Sequence, residues 1–414
     1  MSETRRPGSE WGAHLAAAAS AISAAERGEK KAPTPPLHPL LSPDREYPFV
    51  VLDRMRAQLA PAGVPVISFS IGDPRERTPE FIKEALRGAI PEMSSYPSTN
   101  GQPALRAACA AWLERRFGVQ ADPEKHILPA TGSKEAVFLL HHVVLDPRST
   151  RRTVVIPSPA YPVYEAGTRF AGGEPYLVPL RSADRWHFDP RRVPPEVWDR
   201  TALLWLNSPH NPTGATLSLD ELRAIAELAK RHGFWVAADE AYAEVYFDLV
   251  PPSMLQVGFE NVIAFHTLSK RSAMTGFRSG FVCGDERLID AFRRFRPNVG
   301  VATPDFVQAA AIAAWQDDAH PVEQRARYAI KRKLFLDYFA RRGWKVEASE
   351  AAFYLWLKAP SGNDVEFVEA MLRVGIVALP GSFLGPGGEG FVRFALVPTP
   401  ESCREAIERL DQVT

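Results

Sequence analysis

Residues 202–239, ALLWLNSPHNPTGATLSLDELRAIAELAKRHGFWVAAD, decide the fold of this chain. The stretch begins and ends with short apolar runs, 202–207 and 234–239, which are typical of buried strands. The segment between them has the apolar spacing of a helix, and Ser218 and Glu221 are placed to form a capping box at its start. A strand, a helix and a second strand with a short return predict a parallel pair joined by a right-handed crossover.

The same alternation of apolar runs and helical patterns recurs on both sides of this stretch. It predicts a doubly wound α/β domain over residues 81–300, with a large, mixed and mostly parallel sheet. Long charged helices followed by short apolar runs predict a smaller α+β domain over residues 301–414. Residues 36–80 are expected to pack with the small domain, and residues 1–35 to form a flexible extension. The further strand-like runs are HILPATG (126–132), TVVIPS (153–158), VIAFH (262–266), FYLWLK (353–358), GIVALPG (375–381) and GFVRFALV (390–397).

Composition excludes several classes of function. The 414 residues carry 49 Lys and Arg against 49 Asp and Glu, so the chain has no basic excess for nucleic acid or for a membrane surface. No apolar run approaches the length of a membrane-spanning helix. Three widely spaced cysteines show neither metal-ligand spacing nor a disulfide pattern, which predicts a reducing, cytoplasmic location. Arg5-Arg6 could suggest an export signal, but Pro7 and Gly8 stand where apolar residues should follow.

Polar residues follow the predicted strands, at the point where each strand ends. Asn211, Asp239, Ser133, Tyr161 and Lys270 all have this placement. Open α/β sheets bind ligands at the carboxyl ends of their strands, so we expect these side chains to meet in one site. Taken singly, Asp239 could be a helix cap, Asn211 a turn residue and Tyr161 an ordinary core tyrosine.

Four stretches resemble, in order and spacing, the motifs of class I and II aminotransferases, which are pyridoxal-phosphate enzymes of fold type I. They are NSPHNPTG (207–214), DEAY (239–242), SKRSAMTGFRSG (269–280) and GFVRFAL (390–396). The resemblance runs from about residue 40 to the end of the chain. More narrowly, YPFVVLDRM (47–55), ISFSIGDP (67–74) and FYLWLKAP (353–360) resemble the N-succinyl-diaminopimelate aminotransferases of lysine biosynthesis.

The resemblance implies roles for the residues around the cofactor ring. Lys270 would join its amine to the cofactor aldehyde and, once released, carry the proton during transfer. Asp239 would pair with the ring nitrogen and keep it protonated, so that the ring can accept electrons. Tyr242 and Asn211 would donate hydrogen bonds to the phenolic oxygen. Tyr161 would stack on the ring.

The resemblance also implies a phosphate site and a homodimer. Arg278 can give a phosphate two hydrogen bonds, and the helix that opens after Gly132 offers free N–H groups. Tyr96 resembles the family tyrosine that reaches the phosphate of the neighbouring subunit, which implies active sites shared between two chains. The remaining phosphate candidates are Ser133, Lys134, Thr267 and Ser269.

Candidate substrate contacts come from a buried strand and from one loop. Arg393 alternates into an apolar strand, where a charge needs an anion, and a substrate α-carboxylate would supply it. Gly72 would offer a backbone N–H to the same carboxylate. Arg75 is a candidate for a second, distal carboxylate, and Arg271 is another. The alternative for this loop is a solvated surface in which Glu76 balances its arginines.

The resemblance implies a homodimeric aminotransferase that uses small amino and keto acids and needs pyridoxal 5′-phosphate but no metal. The expected reaction moves an amino group between glutamate/2-oxoglutarate and an amino/keto acid pair, of which N-succinyl-LL-2,6-diaminopimelate is the expected amino acid. The alternatives are a class I or II aminotransferase of other specificity, or a C–S lyase on the same fold. A cofactor-binding regulator would need a DNA-binding domain, and only about 35 residues precede the predicted fold.

Overall fold

The computed structural model describes residues 35–42 and 48–413. The chain divides into two units, residues 1–46 and 47–414. The described part of the first unit contains one short 3-10 turn, Pro39–Leu41. All other elements below belong to the second unit.

Three predictions concern the N-terminal extension, the cysteines and membrane-spanning helices. The flexible extension predicted for residues 1–35 lies outside the described residues up to position 34. The three cysteines are buried and unpaired. Across 35–42 and 48–413, no helix is both long and apolar enough to cross a membrane.

The second unit is built from alternating strands and helices. Its strands are β1 (Ile67–Ser68), β2 (Ile127–Ala130), β3 (Thr153–Ser158), β4 (Glu174–Pro179), β5 (Thr201–Asn207), β6 (Trp235–Asp239), β7 (Val262–Thr267), β8 (Gly280–Gly284), β9 (Val346–Glu347), β10 (Tyr354–Lys358), β11 (Ile376–Val377), β12 (Leu379–Pro380) and β13 (Phe391–Ala395). Its helices are α1 (Pro48–Leu59), α2 (Glu80–Gly88), α3 (Pro103–Phe117), α4 (Ser133–Val144), α5 (Val163–Phe170), α6 (Pro195–Trp198), α7 (Leu219–His232), α8 (Leu268–Arg271), α9 (Glu286–Val299), α10 (Asp305–Gln316), α11 (Ala319–Arg341), α12 (Asp364–Arg373) and α13 (Pro400–Leu410).

The largest sheet has seven strands in the order β2-β8-β7-β6-β5-β3-β4. The pairs from β4 through β7 are parallel, and β8 runs antiparallel to both β7 and β2. The mixed, mostly parallel sheet predicted from the sequence is therefore confirmed. Parallel neighbours bring their carboxyl ends to the same edge, which is where the polar residues are concentrated.

Residues 202–239 fold as their pattern predicts. Strands β5 and β6 pair in parallel, and helix α7 connects them. Ser218 and Glu221 form the full capping box, and Gly233 ends the helix in the left-handed region with φ of 68°. A residue with a Cβ would be strained in that conformation, so glycine suits the position.

Strand β5 also shows how the sheet is covered. Leu204 and Leu206 belong to one apolar cluster, and Leu203 and Trp205 belong to a second. Successive side chains of a strand point to opposite faces, so apolar residues bury both faces of the sheet. Polar groups are then free to gather only at the strand ends.

A second, antiparallel sheet follows in the order β12-β13-β10-β9. The predicted run at 375–381 forms two short strands that join different sheets. Ile376–Val377 pairs in parallel with β1, while Leu379–Pro380 pairs with β13. Pro380 lacks an N–H group, which restricts it to an edge strand such as β12. The proposed domain boundaries at residues 80 and 300 stay predictions.

Candidate active site

The carboxyl ends of the strands open onto a cavity of about 450 Å³. The loop after β1 and the strands β10 and β13 complete its wall. The predicted site residues that line it are Gly72, Ser133, Lys134, Tyr161, Asn211, Asp239, Tyr242, Thr267, Ser269, Lys270, Arg278 and Arg393. Sequence reasoning thus selected residues from distant parts of the chain that the fold brings together.

Lys270 lies just beyond β7, in the one-turn helix α8. Its ammonium donates a hydrogen bond to the carbonyl oxygen of Gly72 and lies 5.8 Å from the centre of the Phe353 ring. Burial is the main reason that the pKa of Lys270 falls to about 8, and the cations Arg393 and Arg278 lower it further. An amine with this pKa is partly neutral at physiological pH, and only the neutral amine attacks a carbonyl carbon.

Asp239 is the last residue of β6 and is 6% exposed. Its Oδ2 atom accepts a hydrogen bond of 2.7 Å from the Tyr164 hydroxyl, and its Oδ1 atom accepts one of 3.2 Å from the N–H of Ala241. Burial raises the pKa of Asp239, while both hydrogen bonds and the charge of Lys270 oppose that rise. The result is an oriented, desolvated carboxylate, which suits a cationic N–H partner.

Two tyrosines meet beside this carboxylate. The Tyr242 and Tyr354 hydroxyls are 2.8 Å apart, and both side chains are buried. Burial is the main reason that the pKa of Tyr242 lies well above its ordinary value, so Tyr242 remains a proton donor. Tyr354 also explains why position 72 is glycine, since a Cβ at Gly72 would collide with the Tyr354 hydroxyl.

An anion-binding corner lies at the start of helix α4. Gly132 precedes the helix with φ of 73°, and a Cβ there would lie 2.5 Å from Nη2 of Arg278. Gly132 therefore makes room for the arginine rather than lining the cavity itself. The guanidinium of Arg278 also donates to the carbonyl oxygen of Thr275 at 2.9 Å. Free helix N–H groups and a fixed cation together suit a phosphate dianion.

Hydroxyl groups from helix α8 and from its N-terminal cap add donors to the same cavity; we call residues 267–273 the catalytic turn. Thr267 and Ser269 both line it, together with Ser133 and Lys134. Thr267 caps the short helix α8, with its Oγ1 atom accepting from the N–H of Ser269 at 3.1 Å. The cap fixes the turn that presents Lys270.

Arg393 is a buried cation on strand β13, with 3% of its surface exposed. Its guanidinium donates to the Asn211 side-chain oxygen at 2.7 Å and to the Ser70 carbonyl oxygen, and it lies 4.5 Å from the centre of the Tyr354 ring. Its Nε atom has no hydrogen-bond partner among the described residues. A buried guanidinium held by neutral oxygens and short of a partner suits a carboxylate ligand.

Two predicted residues lie elsewhere in this single chain. Tyr96 is fully exposed and does not line the cavity. Arg75 is also exposed and outside the cavity wall. Their roles stay predictions.

Arg271 is the wrong residue for a distal carboxylate. It is 3% exposed and points away from the cavity, although it follows Lys270 directly. Its guanidinium donates to the carbonyl oxygens of Ala314 and Asp317 and to the carboxylate of Asp318. These contacts use its donors to join α8 to the end of helix α10.

Glu76 is also not the counter-charge of the loop arginines that the solvated alternative supposed. Its carboxylate accepts a hydrogen bond of 2.6 Å from Lys331 in helix α11. The loop therefore has an inward-facing acid between exposed arginines, rather than a uniformly solvated surface.

The sequence reasoning missed several cavity residues. Asn207 donates from Nδ2 to the carbonyl oxygen of Asp239 at 2.7 Å and accepts from the N–H of Asn211 at 2.7 Å, which ties the ends of β5 and β6 together. Tyr164 and Tyr354 orient the catalytic groups, and Asp73 adds an acid to the wall. Asn207 belongs to the quoted motif NSPHNPTG, so a signal for it was present.

The comparisons with known proteins agree with this geometry. Residues 64–410 match the model of the family described as aminotransferase class I and II. The chain is 40% identical to an LL-diaminopimelate aminotransferase of Gloeobacter violaceus, over 88% of this chain and 95% of that protein. A crystal structure of an aminotransferase from Neisseria meningitidis has a TM-score of 0.84 at 37% identity, covering 89% and 98% of the two chains. A probable N-succinyldiaminopimelate aminotransferase from Thermus thermophilus has a TM-score of 0.81 at 30% identity, covering 88% and 100%.

The fold and the site define a pyridoxal-phosphate enzyme of fold type I. The chain belongs to the class I and II aminotransferases, which confirms the predicted fold type, cofactor and aminotransferase activity.

The residues present fit pyridoxal phosphate. Arg278, which packs against Gly132 beside the start of α4, suits the phosphate. The buried Asp239 carboxylate suits the ring nitrogen. When bound, the cofactor supplies an aldehyde that takes up an amino group and a ring that withdraws electrons. Lys270 would hold the cofactor and move the proton, Asp239 would orient the ring, and Arg393 would hold the substrate carboxylate.

The Tyr164 hydroxyl gives a first testable prediction. Tyr164→Phe keeps the ring that stacks on Trp205 at 4.4 Å but removes the hydrogen bond to Asp239. A hydrogen bond to a charged group contributes about 1.5–3 kcal/mol, so we expect kcat to fall by about tenfold or more. The pH at which the absorbance of the bound cofactor changes should also shift, because the pKa of Asp239 rises without its donor.

Tyr176→Phe is the matched control, since it removes a tyrosine hydroxyl on strand β4, away from the cavity lining, and retains the ring. Steady-state rates and absorbance titrations of both variants make the comparison. Equal behaviour of the two variants would contradict a specific role for the Tyr164 hydroxyl.

Proposed function

We propose that this aminotransferase transfers an amino group from an amino acid of the diaminopimelate class to 2-oxoglutarate, giving glutamate and the matching keto acid, with free LL-diaminopimelate as the preferred amino donor. The observation that carries the proposal is Arg393, a buried cation that forms no ion pair with the described residues and shares the cavity with the Lys270 amine. An amino acid places its α-carboxylate and its reacting nitrogen two bonds apart, so this pair of groups suits one. The similarity to LL-diaminopimelate aminotransferases supports the rest.

One acid in the cavity wall supports the free form over the N-succinyl form. Asp73 lines the cavity, and its carboxylate is the strongest charge that opposes the lowered pKa of Lys270. The distal end of free LL-diaminopimelate carries an ammonium and a carboxylate, and an acid attracts the ammonium. Succinylation converts that ammonium into a neutral amide and adds a carboxylate, which Asp73 would repel.

N-succinyl-LL-diaminopimelate, the substrate expected from the sequence, is the second candidate. Lys134 favours it, because this lysine lines the cavity and can pair with an added carboxylate. The similarity to the probable Thermus enzyme is at lower identity.

A substrate panel tests the proposal. The cofactor-loaded enzyme is given 2-oxoglutarate with LL-diaminopimelate, N-succinyl-LL-diaminopimelate or aspartate, and glutamate formation is followed. We expect kcat/KM for LL-diaminopimelate to exceed the others by about tenfold or more, the scale of one well-placed charge. Asp73→Asn should raise KM for the free diamine and leave the succinylated substrate little changed. A preference of the wild-type enzyme for the succinylated substrate would contradict the proposal.

The proposal includes a homodimer with shared active sites and a cytoplasmic location. Tyr96, Met93 and Ile90 support the dimer, because large apolar or aromatic side chains stand 102%, 86% and 59% exposed on one short segment. A covered position would account for such exposure. A mass of one chain in solution, measured by light scattering, would contradict the dimer.

A further inference from the structure

The loop between β1 and α2 has two sides with different surroundings. Its first residues, Ile71, Gly72 and Asp73, line the cavity. The carbonyl oxygen of Gly72 accepts the hydrogen bond from the Lys270 ammonium. The position of this loop therefore bears directly on the catalytic amine and on the room left for a substrate.

The middle of the loop is tied to helix α11 by a buried ion pair. The Lys331 ammonium donates to Oε1 of Glu76 at 2.6 Å, and the Lys331 side chain is 0% exposed while that of Glu76 is 15% exposed. The ammonium also lies 4.7 Å from the centre of the Tyr328 ring. Among the described residues, Glu76 is the carboxylate that forms an ion pair with Lys331. Arg327 of the same helix lies 3.9 Å from the other carboxylate oxygen of Glu76 and adds a weaker, more exposed ion pair. A buried ammonium is costly without a partner, so the Lys331 pair, supported by Arg327, holds Glu76 inward.

A second tie joins the end of the loop to the catalytic turn. The Thr78 hydroxyl donates to the carbonyl oxygen of Ala273 at 2.7 Å, three residues after Lys270. Between the ties, Arg75 and Arg77 flank Glu76 and are exposed. The side chains of Arg75 and Arg77 thus point outward, while that of Glu76 points inward and is held by the Lys331 ammonium.

We propose that Lys331 and Glu76 are positioning residues for amino transfer: their buried ion pair sets the loop against the cavity and thereby places Gly72 and Asp73 for the substrate. Packing alone would be served by two apolar side chains at least as well as by an ion pair. A charge pair adds direction, since Glu76 satisfies Lys331 in one loop conformation. The inference holds for any amino-acid substrate of this enzyme, so it does not depend on diaminopimelate.

Glu76→Gln and Lys331→Met test this inference in the cofactor-loaded enzyme. The first keeps the shape of the loop residue, and the second keeps an unbranched side chain that is one atom shorter and uncharged. Lys333→Met is the matched control, because Lys333 lies on the same helix in an exposed pair with Asp337 at 2.8 Å. If Lys331→Met does not fold, Glu76→Gln carries the test, because its change lies in the loop itself.

The first readout is cleavage by trypsin, since Arg75 and Arg77 place two trypsin sites inside the loop. We expect Lys331→Met, which leaves both cleavage sites unchanged, to be cut there about tenfold faster than the wild type or Lys333→Met, because release of Glu76 frees the backbone. This readout reports the loop and does not require turnover.

The second readout is the kinetic split with glutamate as amino donor. We expect KM for glutamate to rise about tenfold in Glu76→Gln and Lys331→Met, with a smaller change in kcat. Lys333→Met should match the wild type. Trypsin cleavage and glutamate KM both at wild-type values, even with lowered thermal stability, would overturn the proposal and leave the pair as a core contact only.

Discussion

Replacement of Lys270 by alanine is expected to lower kcat by more than about 10⁴-fold, because one side chain supplies both the covalent attachment and the proton transfer. The structure gives it the means for both. Its amine lies at the strand ends in the same cavity as Asp239 and Arg393, and partial burial is the main reason that its pKa falls to about 8. Glutamate formation from 2-oxoglutarate measures the loss.

Lys270→Arg distinguishes the positive charge at position 270 from the reactivity of the amine. The arginine keeps a cation near the Gly72 carbonyl oxygen but stays protonated at any accessible pH, so it cannot attack the aldehyde. We therefore expect Lys270→Arg to be as inactive as Lys270→Ala. Substantial turnover by either variant would contradict the role of this amine.

Asp239→Asn is expected to lower kcat by about 10²- to 10³-fold, the scale of losing one electrostatic partner of a reacting group. The amide is nearly the same size and can still accept from the Tyr164 hydroxyl. It cannot, however, hold a proton on the ring nitrogen of the cofactor, and the ring then withdraws electrons less strongly. Steady-state kcat is the measurement, and cofactor binding should be followed in parallel.

Glu240→Gln is the matched control for this change. Glu240 is the adjacent buried acid, it does not line the cavity, and its carboxylate accepts from the N–H of Met254 at 2.7 Å. Burial raises the pKa of Glu240 to about 8, so at pH 7 it is mostly neutral and an amide resembles it. Similar losses in kcat from the two substitutions would contradict a specific role for Asp239.

The sequence predicts most of the sheet because the signals are local. The capping box at Ser218, the glycine at position 233 and the apolar runs around them lie within one stretch of chain. The broken run at 375–381 shows the limit of such signals. Nothing in its apolar pattern indicates that Ile376 pairs with β1 while Leu379 pairs with β13.

The site divides in the same way. Asp239 and Lys270 are predictable because each follows a buried strand within a recognisable motif. The Tyr242–Tyr354 hydroxyl contact joins residues 112 positions apart, so it depends on how two sheets pack and no local pattern shows it. Arg271 fails for the opposite reason, because its neighbour in sequence lies in the cavity while its own side chain points to the other side of a one-turn helix.

The central claim is that the Lys270 amine is the group that bonds to pyridoxal phosphate. The direct measurement is borohydride reduction of the cofactor-loaded protein, tryptic digestion and mass spectrometry of the lysine-containing peptides. We expect the cofactor to be found on Lys270 and to be absent from Lys134, which also lines the cavity. Attachment to Lys134, or a protein that takes up no cofactor on any lysine, would contradict it.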